Sequence, residues 1–136
     1  MNSSPRGVAV AVAGIALLLV AAGAWAQAPT GAWVAPAADK AKKNPVPGGA
    51  NAVAAGKNVA QTNCVSCHGP GGKGDGPAAV ALNPKPADWT SKRVQDESDG
   101  EIFWKISNGR GAMPPWKHLP ENDRWSVIHF IRSLKK

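Results

Sequence analysis

At 136 residues and a formal charge of +7, the chain has room for one domain. A basic balance admits nucleic acid or anionic lipid as a partner, but Lys57, Lys73, Lys85, Lys92, Lys105 and Lys117 are scattered and no basic run carries interleaved aromatics. A protein partner with an acidic face fits that pattern better. Arg6 is the sole ionisable side chain in the first 26 residues, so a chain starting at Gln27 holds 15 basic and 9 acidic side chains, a charge of +6.

Residues 1–26 read as an export signal: a polar start with Arg6, an apolar run over 8–22, then Ala24-Trp25-Ala26 with small residues flanking a cut before Gln27. The competing reading is an uncleaved membrane anchor. The run is shorter than the ~20 residues a spanning helix needs, and no cysteine follows it to carry a lipid. Residues 27–50 are rich in Ala, Pro and Gly, with one basic knot, Lys40-Ala41-Lys42-Lys43, and show neither helical nor strand period. They are expected to form a linker or loosely packed arm, and a tether if the signal stays uncut.

From Asn51 the pattern becomes helical: Ala52, Ala55, Gly56, Val59, Ala60 and Asn63 fall at i, i+3, i+4, i+7, i+8 and i+11. Gly56 inside that helix costs ~1 kcal/mol relative to Ala, which implies that another backbone comes close there. The helix delivers Cys64-Val65-Ser66-Cys67-His68, a Cys-x-x-Cys-His run of the kind that attaches a c-type haem. Two thiols one helical turn apart can each bond a haem vinyl group, and the histidine that follows can ligate the iron. Both cysteines of the chain are used in this way. A zinc site would need two more ligands, and only His118 and His129 remain, at spacings unlike a zinc ribbon or finger. A thioredoxin-type dithiol needs a βαβ context that the sequence lacks. A plain disulfide suits an oxidising compartment but gives no role to His68.

Gly69-Pro70-Gly71-Gly72-Lys73-Gly74-Asp75-Gly76 is a loop; it lacks the Gly-Lys-Ser/Thr of a phosphate cradle and is expected to pass close to the cofactor edge. A short helix is expected over 77–82, then an extended stretch, because Pro84 and Pro86 each restrict the residue before them. Ser98 and Glu101 form a capping box opening a helix through Ile102, Phe103 and Ile106 to Asn108-Gly109. The acidic residues Asp96, Glu97, Asp99 and Glu101 are read as helix-start electrostatics without a catalytic role, and Trp104 as core or cofactor-edge packing. Gly109-Arg110-Gly111-Ala112-Met113-Pro114-Pro115-Trp116 cannot continue a helix. Such a constrained loop can hold one side chain at a fixed distance from a metal, and Met113 is the sole methionine beyond the initiator. Its thioether is a soft ligand that favours ferrous iron; the ordinary role of a lone Met is core filler, and His118 is the rival ligand. The last helix is expected over 120–134, with Glu121 and Asp123 in its first turn and Val127, Phe130, Ile131 and Leu134 as its apolar face.

Over residues 51–136 the chain resembles the monohaem class I cytochrome c family. Four features carry this in order: the Gly56 helix, Cys64-Val65-Ser66-Cys67-His68, the Gly76-Pro77 pair, and the Met113 loop before a terminal helix. The resemblance implies an all-α cytochrome c fold, three to four helices wrapped around one haem c held covalently by Cys64 and Cys67. It implies His68 and Met113 as axial iron ligands, with the carbonyl of Pro77 accepting the His68 Nδ1 proton. Trp89 would lie along the haem and reach a propionate, if it is not simply a core tryptophan, and Trp116 would belong to the haem surroundings. The terminal helix would cross at Gly56, although Ala60 stands where the commonest pattern has an aromatic. The function implied is one-electron carriage between redox partners of a respiratory or dehydrogenase chain, in the periplasm, with no catalytic residue. Two alternatives stay open: a tethered haem subunit of a larger oxidoreductase complex, and a haem enzyme or gas sensor in which Met113 leaves the iron.

Overall fold

The computed structural model describes Met1 and residues 31–136, so the expected export signal beyond Met1 and the start of the expected linker lie outside the described residues. Among the described residues, six α-helices and one 3-10 turn follow in order. They are α1 (Ala37–Lys40), α2 (Ala50–Asn63), α3 (Val65–His68), the 3-10 turn Pro77–Ala81, α4 (Lys92–Gln95), α5 (Asp99–Asn108) and α6 (Glu121–Ser133). Among the described residues there is no strand, and no helix is long and apolar enough to cross a membrane. The fold is all-α, as expected, with six helices where three to four are expected. Three helices are long, α2, α5 and α6, and the other three are single turns.

The sharpest packing constraint is the crossing of α2 and α6. A Cβ on Gly56 would collide with the carbonyl oxygen of Ser126, so α6 passes directly over the glycine, backbone against backbone. Ala60, fully buried one turn later, keeps that approach open where an aromatic would wedge it apart. Around the crossing, Val94, Ile102, Phe103, Ile106, Trp125, Val127, Ile128, Phe130 and Ile131 make one core. Phe103 of α5 stacks on Trp125 of α6 with ring centroids 3.9 Å apart, an arrangement that adds to the area the two rings bury.

Helix ends follow from local chemistry. The Ser98 hydroxyl accepts from the Glu101 N–H at 3.1 Å and caps α5, and Gly109, at a φ of +63° that favours glycine, ends it. The capping box is only half made, because the Glu101 carboxylate turns to Lys40 at 3.2 Å and Lys105 at 3.3 Å.

The expectation of a loose linker over 27–50 is corrected for its described part, since residues Ala32–Lys136 form one unit. Ala35 is buried. Lys40 meets Glu101, and its carbonyl accepts from the Ser98 hydroxyl at 2.8 Å. Asn44 Nδ2 donates to the Trp125 carbonyl at 3.0 Å, and His129 Nε2 donates to that of Val46 at 2.8 Å. A Cβ on Gly100 would strike the Asp39 carbonyl. The arm is therefore fixed by backbone and side-chain bonds to residues far along the chain, which composition alone does not register.

Candidate functional site

The turn that carries Cys64, Cys67 and His68 is held by its own backbone. Cys64 N–H still donates to Ala60 at 2.8 Å as α2 ends, while the Cys64 carbonyl accepts from Cys67 at 3.1 Å and His68 at 2.9 Å. Gly69, at φ +75°, then reverses the chain. The glycine-rich loop folds back onto this turn: Gly74 N–H donates to His68 and Gly76 N–H to Cys67. A Cβ on Gly76 would strike the carbonyls of Ser66 and Val65, and one on Gly74 that of Pro86. None of residues 69–76 lines the cavity described below, so Gly74 and Gly76 serve close backbone-to-backbone approach rather than passage along a cofactor edge.

That cavity, about 540 Å³, is where the sequence-predicted residues converge. Cys64, Cys67, His68, Trp89, Met113 and Trp116 all line it, between apolar walls from Val94, Ile102, Ile106, Val127 and Ile131. Pro77 does not line it. His118 and His129 do not either; His118 is exposed and tilts against Trp116, and His129 is bonded to Val46. Among the described residues His68 is thus the one histidine on the cavity wall. No group of three or more His, Cys, Asp and Glu side chains that could hold a metal occurs among them, which removes support from the zinc reading.

His68 is buried and its Nδ1 lies 3.0 Å from the carbonyl of Ala87, the place the resemblance gave to Pro77. The reason is the route of the chain: Trp89 N–H donates to the Gly72 carbonyl at 2.7 Å, which pins the 83–88 segment across the loop and brings Ala87 over the imidazole. Pro77 instead opens a 3-10 turn. A carbonyl can only accept, so Nδ1 carries the proton and Nε2 keeps its lone pair free for a metal. Burial lowers the pKa of His68 while the Ala87 bond works the other way, and the net shift is downward, toward the neutral form that ligates. Trp89 stacks on the same ring, centroids 4.5 Å apart, and meets Phe130 edge-on.

The cysteines are not joined to each other. Burial, reinforced by Cys67, pushes the Cys64 thiol up to about 11. A dithiol oxidoreductase lowers the pKa of its attacking cysteine instead, so the shift at Cys64 runs against a thiol-exchange role.

Met113 sits in a loop clamped at both ends. Arg110 and Met113 exchange backbone hydrogen bonds at 2.9 and 3.0 Å, Trp116 N–H donates to Ile106 at 3.1 Å, and Gly109 and Gly111 take positive φ. Sequence reasoning missed Arg124, which is buried on the face of Phe103 and bonds Ser107 before the loop and the Leu119 carbonyl after it. Its position at i+4 from Pro120 gave no hint of this, since an arginine on a helix ordinarily faces water. The donor set, two thiols, a neutral imidazole and a thioether around one largely apolar space, fits a covalently held haem.

The sequence family described as cytochrome c oxidase, cbb3-type, subunit III matches residues 51–131. The chain belongs to this family. It is a c-type cytochrome domain, a class that binds haem c and transfers electrons. Among curated proteins none matches it. One similar solved structure is the reducing HAO-like protein complex Kustc0457/Kustc0458 of Kuenenia stuttgartiensis, at 27% identity and a TM-score of 0.60 over 68% of this chain and 47% of that one. The cytochrome domain thus spans about half the length of that neighbour.

Proposed function

We propose that the protein is an exported monohaem cytochrome that carries single electrons between redox partners. The observation that carries the reading is the convergence of Cys64, Cys67, His68 and Met113 on one cavity. Haem c supplies a reversible one-electron couple when bound. The two thiols would hold it covalently, His68 Nε2 and the Met113 sulfur would take the axial positions, and the Ala87 carbonyl would keep the imidazole in the ligating tautomer. Were His68 and Met113 both to hold the iron, no coordination place would be left for substrate, which would favour a carrier over oxygen or peroxide chemistry. Lys57, Lys73 and Lys117 are exposed and suit a brief encounter with an acidic partner face that weakens with salt. Export rests on the signal pattern of residues 1–26.

An absorption spectrum of the natively matured protein tests the reading. A low-spin spectrum with the weak long-wavelength band of thioether-to-ferric charge transfer is expected, and Met113→Ala should abolish that band. A high-spin spectrum, or a carbon monoxide complex formed at once, would contradict the reading; persistence of the band in the variant would also contradict it. A second reading, a haem subunit fixed in a larger oxidoreductase complex, is favoured by the family's description as an oxidase subunit and by the neighbour's being a complex. Native size and membrane association separate the two.

A further inference from the structure

Trp33 lies outside the matched residues 51–131 and outside every feature that carried the resemblance, yet it lines the same cavity as His68 and Met113. Its ring faces the Lys105 ammonium, 5.6 Å from the centroid, and Lys105 is bonded to Glu97 at 2.6 Å and to Glu101 at 3.3 Å. Lys105, Glu97 and Arg93 line that part of the cavity too. The arm behind Trp33 is held at many points: buried Ala35, Lys40 on Glu101 and Ser98, Asn44 on Trp125, and Val46 on His129. A side chain placed this firmly on a cavity wall is built into the site.

We propose that Trp33 is a wall of the haem site, held by the docked arm so that it excludes water from the cavity beside Lys105 and Glu97 and raises the reduction potential. This rests on the haem reading above. Ferric haem carries one more positive charge than ferrous, so a drier, less polar surrounding disfavours the oxidised state and water entering there stabilises it. The cation–π contact gives the ring a fixed seat.

The test is a redox titration of the matured holoprotein, followed by absorbance, for wild type, Trp33→Ala, Trp33→Phe, Val34→Ala and Gly100→Ala. Trp33→Ala is expected to raise the ferric-to-ferrous ratio at a fixed poise about tenfold, a shift of ~59 mV to lower potential for a one-electron couple. Trp33→Phe should keep most of the wild-type value. Val34→Ala, at a neighbouring position that is 50% exposed, should leave it unchanged. Gly100→Ala drives Asp39 off α5 without touching Trp33, so it should shift the potential the same way, and trypsin cleavage at Lys42 or Lys43 reports the freed arm. It carries the test should Trp33→Ala fail to fold. A Trp33→Ala protein with wild-type haem content and unchanged potential overturns the proposal, as does a freed arm in Gly100→Ala with no shift. A colourless wild type would instead overturn the haem reading itself.

Discussion

At position 56 a methyl group has no room. The atom it would strike is the main-chain oxygen of Ser126, which cannot swing aside as a side chain can. Gly56→Ala should therefore lose stability although alanine is the better helix former by ~1 kcal/mol. Overpacking costs of ~1–3 kcal/mol, at their upper end here, leave a net loss of about 2 kcal/mol, on the order of 10 °C in Tm for a domain of this size. Thermal unfolding of the holoprotein checks this; an unchanged or higher Tm would mean that α6 does not cross there. This constraint was legible in the sequence, because a glycine in a good helical register needs a reason. The His68 acceptor was not. A main-chain carbonyl leaves no mark in the side-chain pattern, and whether Pro77 or Ala87 supplies it depends on where the Trp89–Gly72 hydrogen bond pins the chain.

At the scale of elements, α5 joins the arm to the rest of the domain, and Glu101 is its fastener. As helix-start electrostatics the acidic residues around Ser98 place Asp99 and Glu101 in the first turn of α5, but this understates Glu101, which is buried between Lys40 and Lys105. Burial alone would raise the pKa of Glu101, but its bonds to Lys40 and Lys105 outweigh this and leave it below the usual 4.5. A depressed carboxylate contributes stability that is complete above the unfolded value and is lost as pH falls through the folded one. Glu101→Gln should accordingly be less stable than wild type at pH 7, by less than the ~3–5 kcal/mol of a fully broken buried pair because Lys105 keeps Glu97. The difference should narrow as pH drops below about 4.5. Chemical denaturation at pH 7 and pH 3.5 measures it, and a constant gap would remove the linkage. None of this was legible in the sequence, since Lys40 and Glu101 are paired across 61 positions by a segment with no periodic pattern.

Within residues 32–136, side chains from several elements meet at one cavity of about 540 Å³, lined by Cys64, Cys67, His68 and Met113. A porphyrin in that space would complete the core as well as provide the redox couple. The Cys-x-x-Cys-His run and the Met113 loop made the residues that meet at the cavity legible because each is local in sequence. The walls that Val94, Ile106 and Trp33 contribute come from tertiary contact and were not.

The most direct measurement is the mass and colour of the natively matured chain after extraction with acidified organic solvent. The pigment should stay with the polypeptide, whose mass should exceed that of the chain starting at Gln27 by one haem. A colourless polypeptide with two free thiols, or pigment that leaves with the solvent, would contradict the covalent haem site on which the proposed function rests.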